Sequence, residues 1–197
     1  MMDYNRQPSG IPSGGQFSPS SKRRGEQRRP LEVSRHDTRL TDLDITDNAN
    51  LELQKTLTAY RQWDKLRQVI SVALVNPELD NQTEVAAAIS GELDIPLIKI
   101  ASTDGIPLST TIQHFPHYQL GEPLHLASYR QTRPGRGVIL FQDVDCLDFV
   151  DSQTLADFLN VDHHPYLVMC SASKLELLDR RVYDGCSQVI FTTTNGQ

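Results

Sequence analysis

The sequence predicts a three-layer α/β domain: a five-stranded parallel sheet with helices on both faces, behind a disordered N-terminal tail. Two observations carry this reading. Short β-branched and aliphatic runs recur between turn residues, as strands buried on both faces require. Segments of helical spacing separate them, and the first strand, helix and second strand fall within about 30 residues, the span of a parallel crossover.

Residues 1–30 are rich in Ser, Gly, Pro, Gln and Arg, with Tyr4, Ile11 and Phe17 the sizeable apolar groups after the initial methionines. Such a stretch buries too little surface to offset its ordering entropy, so 1–39 is read as a disordered basic tail. Its cluster Lys22, Arg23, Arg24, Arg28 and Arg29 could release counterions from nucleic acid. No aromatic residue interleaves it to stack on bases, so a solvated linker is the plainer reading.

Residues 40–68 are read as a leading helix and linker. Leu53, Leu57 and Tyr60 recur at helical spacing, with Asp47 or Asn48 available as the cap. The core, 69–197, opens with the strand Val69–Val75, bounded by Asn76-Pro77. An Ala-rich helix follows from Thr83 to Leu93, then a strand at Leu97–Ile100. Gly137–Phe141, Tyr166–Cys170 and Gln188–Phe191 are the remaining strands, with helices expected at Ser152–Asn160 and Lys174–Val182. Between 102 and 136, Pro107, Pro116, Pro123 and Pro134 interrupt any long helix, so a broken helix or surface segment is expected.

A chain of 197 residues with 38% hydrophobic content suits one ordinary domain, and its net charge of −6 arises wholly outside the basic tail. Three cysteines, Cys146, Cys170 and Cys186, leave one over in any disulfide scheme, which favours a reducing, cytoplasmic setting. No apolar run resembles a signal segment or reaches the roughly 18 residues of a membrane span, so neither secretion nor membrane insertion is expected.

Ligands of open parallel sheets sit at the carboxyl ends of the strands. After the first strand stands Asn76-Pro77-Glu78-Leu79-Asp80-Asn81-Gln82-Thr83, and after its helix Gly91-Glu92-Leu93-Asp94-Ile95-Pro96. Gly121-Glu122 opens a segment ending Arg133-Pro134-Gly135, followed by Gly137–Phe141 and Gln142-Asp143-Val144-Asp145-Cys146-Leu147. Leu167–Asp179 closes the series. Together these blocks resemble the phosphate-loop, Walker B and sensor-1 regions of the AAA+ ATPases, whose core is a P-loop NTPase sheet.

The resemblance implies a degenerate site. Asn76 and Asn81 stand at glycine positions, where a side chain obstructs close backbone approach to phosphate. Gln82 stands at the lysine position and carries no charge, whereas Thr83 keeps its hydroxyl. Glu78 and Asp80 would each cost on the order of 1 kcal/mol or more beside a triphosphate. Gln142 occupies the Walker B Asp position and Asp143 the Glu position; the alternative register gives Asp143 the metal role and leaves Val144 as base. Ser173 takes the sensor-1 Asn position.

Arg180 and Arg181 are read as surface helix residues rather than an arginine finger. No helical lid is expected, because the sequence ends at Gln197, just past the last strand. His163-His164 with Cys170 lacks metal-ligand spacing, and His114 and His117 lack a nucleophile, so both sets are read as loop residues. Asp143 and Asp145, at a strand end, are the remaining candidates for magnesium.

The expectation is a pseudo-ATPase acting as a regulatory or interaction module, with no required cofactor and with a protein partner, an active AAA+ subunit being one candidate. Two alternatives stay open. One is a weak ATPase holding ATP and magnesium at low affinity through Thr83 and Asp143. The other is a nucleic-acid-associated protein using Lys22–Arg29.

Overall fold

The computed structural model describes residues 31–63, 69–77, 81–101, 107–112, 136–161 and 165–194. Expectations for residues 1–30, Glu78, Asp80, His114, His117, Gly121-Glu122, Arg133–Gly135, His163 and His164 lie outside the described residues.

The elements are β1 (Leu31–Ser34), α1 (Asp47–Arg61), β2 (Ile70–Val75), α2 (Gln82–Leu93), β3 (Leu97–Ile100), α3 (Leu108–Ile112), β4 (Gly137–Phe141), α4 (Phe149–Leu159), β5 (Tyr166–Ala172), α5 (Arg180–Gly185) and β6 (Gln188–Phe191). Short 3-10 turns occur at Leu40–Asp42, Val144–Cys146 and Leu175–Leu177.

All six described strands join one sheet in the order β1-β3-β4-β5-β2-β6. The expected parallel strands are present, and a sixth is added. β1 runs antiparallel to β3 with Val33 opposite Ile98, so Leu31–Arg39 belongs to the folded domain rather than to a tail. An edge strand needs pairing along one side only, and here the Lys99–Glu32 ion pair at 2.8 Å reinforces it.

The order of the strands dictates the layers. The β2-to-β3 connection runs in one direction past β5 and β4, whereas the connections from β3 to β4, β4 to β5 and β5 to β6 run in the other. Crossovers of one hand running in opposite directions must pass over opposite faces. Accordingly α1 and α2 bury Leu53, Leu57, Val85 and Ile89 against Val72, Leu74, Val138 and Leu140. On the other face α3, α4 and α5 bury Ile112, Leu155, Phe158 and Val182 against Ala73, Ile139, Phe141 and Val168. Alternate residues of each strand supply the two cores.

Three helix boundaries differ most from the sequence reading. Thr46, not Asp47 or Asn48, caps α1 by accepting from the Ala49 amide, and Asp47 becomes a first-turn acid facing the positive helix end. Asp148 starts α4 at Phe149, ahead of the expected Ser152. The expected helix from Lys174 to Val182 is split, because Asp179 accepts from the Arg181 amide and begins a new helix there.

Gly91 lets the chain before α1 lie directly on α2. A methyl group there would collide with the Thr38 carbonyl oxygen, while Arg39 Nη1 donates to the Gly91 carbonyl at 2.5 Å. Gly91→Ala should therefore lower stability by about 1–3 kcal/mol despite alanine's better helix propensity, read as a reduced urea midpoint. An unchanged or higher midpoint would show that this contact yields freely.

Candidate functional site

The connections leaving β2 and β5 depart in opposite directions, which opens a crevice at the carboxyl ends of β2, β5 and β4. The residues singled out from sequence gather there, at the N-terminus of α2 and just past β4 and β5.

Gln82 is the most constrained of them. Its side chain is 1% exposed, and Nε2 donates to the Leu74 carbonyl at 3.0 Å and to the Ala172 carbonyl at 2.8 Å. The amide thus turns inward and ties the end of β2 to the end of β5. Asn76, also buried, donates from Nδ2 to Asn81 Oδ1 at 2.8 Å and to the Thr192 carbonyl at 3.0 Å. Asn81 Nδ2 donates to that same carbonyl, and the Thr192 hydroxyl donates back to Asn81 Oδ1 at 3.0 Å. The two asparagines and fully buried Thr192 form a closed polar knot joining β2, the start of α2 and the end of β6.

Thr83 remains half-buried, and Gln142 Nε2 donates to its hydroxyl at 3.3 Å. Asp143 adopts a left-handed backbone, φ 51°, and its amide donates to Ser171 Oγ at 3.0 Å. Burial and then the neighbouring Asp145 charge push its carboxyl above the usual carboxylate range. Asp145 in turn accepts from the Ser173 amide at 2.9 Å and from the Ser173 hydroxyl. None of these side chains is cationic. A cavity of about 390 Å³ lies beside Thr83, lined by His36, Thr38, Asp42, Leu43, Glu84 and Ala87.

Sequence reasoning missed Thr192 and Ser171. Ser171 could have been found as a hydroxyl inside an otherwise apolar strand, whereas Thr192 follows β6 with no distinguishing pattern.

Away from the crevice, Arg181 is committed to Asp179 by two bonds, Nε to Oδ1 at 2.9 Å and Nη2 to Oδ2 at 2.7 Å. It also donates to Gln153 and lies 4.1 Å from the Phe149 ring centroid. The guanidinium holds the Asp179 carboxyl down at about 2. Arg180 is 90% exposed and pairs only loosely with Asp184, at 3.5 Å.

Gln82→Leu would remove two buried hydrogen bonds and put an apolar side chain of similar size in their place. A loss of about 1–3 kcal/mol is expected in urea unfolding, with an unchanged slope. A change within error would mean that the amide does not hold the strands.

For Asp143 the sign runs the other way. A carboxyl raised in the folded state disfavours folding once ionised, so its penalty is present at neutral pH and vanishes below the ordinary carboxylate range. Asp143→Asn, which tolerates the left-handed backbone, should raise the melting temperature at pH 7 and lose that advantage at acidic pH. A variant that melts lower at pH 7 would contradict this.

No family model matches the chain, and no curated protein does. Solved structures do. A mutant of RuvB from Thermotoga maritima matches with TM-score 0.59 and 14% identity over 84% of this chain and 49% of that one. Another Thermotoga maritima structure, described as the RuvB Holliday junction branch migration motor, matches with TM-score 0.59 and 13% identity over 78% and 47%. The FIGL-1 AAA domain matches with TM-score 0.56 and 12% identity over 82% and 57%. The chain thus spans about half the length of the RuvB structures it resembles. What these likenesses share with the sheet order and the site's position is the fold: the chain has an AAA+ ATPase-like fold.

Proposed function

We propose that this is a non-hydrolysing AAA+-like domain that serves as a regulatory or interaction module. Gln82 carries the reading. At the position resembling the phosphate-loop lysine stands a neutral side chain, 1% exposed, whose donors are both taken by main-chain carbonyls. It supplies no positive charge and does not reach outward toward a triphosphate.

The surroundings support the same conclusion. The side chains of Asn76 and Asn81 are bonded to each other and to Thr192, where glycines would leave room for a ligand. Gln142, not Asp143, meets Thr83, which favours the register with Gln142 at the Walker B Asp position. No carboxylate then stands where magnesium would need one. The described side chains do not fit a magnesium-bound triphosphate. Arg181, neutralised by Asp179, is equally unsuited to act as a finger.

A partner fits the surface that remains. Phe149 and Val150 at the start of α4 are 73% and 63% exposed, and Leu177 is 58% exposed. We assign the partner as an active AAA+ subunit, met in a cytoplasmic setting. No described helix is long and apolar enough to cross a membrane.

A second reading, weak ATP binding, is favoured by the half-buried Thr83 hydroxyl beside the 390 Å³ cavity. Calorimetric titration of the full chain with ATP and magnesium separates the two. No binding up to millimolar and no phosphate release above background are expected; micromolar binding would favour the second reading. Hydrolysis abolished by Asp143→Ala would overturn the proposal. The nucleic-acid reading, motivated by Lys22–Arg29 and by the branch-migration motor among similar structures, requires salt-dependent DNA binding lost on deleting residues 1–30.

A further inference from the structure

The cavity beside Thr83 has the shape and charge to hold long basic side chains, and the chain carries such side chains within reach of it. Thr83, Glu84 and Ala87 form one wall, on the first turns of α2, and His36, Thr38, Asp42 and Leu43 form the other. Two of these lining residues are carboxylates and none is Lys or Arg. Glu84 is exposed and meets no hydrogen-bond or ion-pair partner among the described residues. Asp42 accepts from the Arg39 amide at 2.8 Å and from the Thr41 hydroxyl at 3.4 Å, neither of them cationic. The Arg39 guanidinium is used elsewhere, on the Gly91 carbonyl and near Glu92.

Topology brings the N-terminal segment to this end of the sheet. β1 runs antiparallel to β3, with Leu31 opposite Ile100, the last residue of β3. The chain therefore enters the fold at the carboxyl ends of the parallel strands, where α2 also begins. β2, which leads into α2, stands four places from β1 in the sheet, about 19 Å away at ~4.8 Å per strand. Arg24 is seven residues ahead of Leu31 and Lys22 is nine ahead, so extended chain carries them about 23–30 Å. Arg28 and Arg29 reach only about 10 Å and fall short.

We propose that Lys22, Arg23 and Arg24 dock within their own chain in this cavity, with their charged ends on Asp42 and Glu84 and their aliphatic stems along Leu43 and Ala87. Exposed ion pairs are individually weak. A tether of this length keeps the basic cluster at about millimolar effective concentration, so weak pairs suffice. The docked segment covers Thr83 and the first turn of α2, and it withholds its charges from polyanions until salt or a competing polyanion displaces it. The inference stands whether or not the neighbouring crevice binds nucleotide.

The test uses the full chain labelled with nitrogen-15, compared with Arg23→Glu/Arg24→Glu, whose changes lie ahead of β1 and spare the folded elements. At about 20 mM salt, the amide resonances of residues 38–43 and 83–87 should differ between the two proteins, and at about 500 mM the difference should vanish. Glu84→Lys should move these resonances to the undocked position, and combining it with Arg23→Glu/Arg24→Glu should bring them back. Carbodiimide at low salt should join Lys22 to Glu84 or Asp42 within one chain, with a yield several-fold lower at high salt. Identical resonances at low salt, perturbations spread over other surfaces, or cross-links between chains would each overturn the proposal. Tail-dependent DNA binding with unchanged resonances would overturn it too, and would assign the basic cluster to nucleic acid.

Discussion

The Gln82 amide bridges the carboxyl ends of two neighbouring parallel strands, β2 and β5. Its two N–H groups reach the Leu74 and Ala172 carbonyls, at the carboxyl ends of β2 and β5. A side-chain amide buried to this degree is tolerable only when its donors are satisfied, because an unmet donor away from water costs about 1–3 kcal/mol. The bond therefore fixes where α2 begins, and with it the direction in which α2 leaves the sheet. Asn76, Asn81 and Thr192 extend the arrangement to β6, so β5, β2 and β6 are tied at one edge by side chains as well as by their ladders.

That edge is also where opposed crossovers meet. The β2-to-β3 connection carries α2 over one face, and the later connections carry α3, α4 and α5 over the other. A crevice at this point follows from topology alone, whatever side chains line it. What lines it here is neutral or acidic, bonded to itself, and placed by strands that are buried almost throughout. The fold thus supplies a location, and the local residues decide whether any ligand can use it.

Much of the fold was legible in the sequence because its signal is local. Ile70–Val75, Gly137–Phe141 and Tyr166–Ala172 are apolar runs of strand length, and the Ala-rich α2 has few alternatives to a helix. β1 was not legible. Its residues, Leu-Glu-Val-Ser, become a strand through pairing with Leu97–Ile100, some 65 residues later, and an edge strand needs little apolar character of its own. The split at Asp179 was missed for a related reason: a helical pattern continued through Leu178, but a capping carboxylate restarted the helix. At the site, residue identity was readable and direction was not. Nothing in the sequence distinguishes a Gln82 that points out toward solvent from one that points in toward two carbonyls. The pairing of Asp145 with Ser173, 28 positions apart, likewise depends on the adjacency of β4 and β5.

On the proposed reading, an emptied phosphate site and a retained fold do not conflict. A phosphate loop keeps several backbone amides unpaired so that they can meet a ligand, and it keeps a lysine whose negative partner is absent until that ligand binds. Both arrangements are costly to a domain without its ligand. Compared with a phosphate-loop lysine, Gln82 brings no charge that must stay solvated or paired, and two nearby carbonyls satisfy its amide. Compared with glycines, Asn76 and Asn81 lose less backbone freedom on folding and add side chains that close on Thr192. Under the proposed function, the same residues that would disfavour a nucleotide would also stabilise the unliganded domain. Asp143 stands apart, since its carboxyl is disfavoured by burial and by Asp145 and no described contact of that carboxylate offsets the penalty. It is the residue at this edge whose chemistry the packing does not account for.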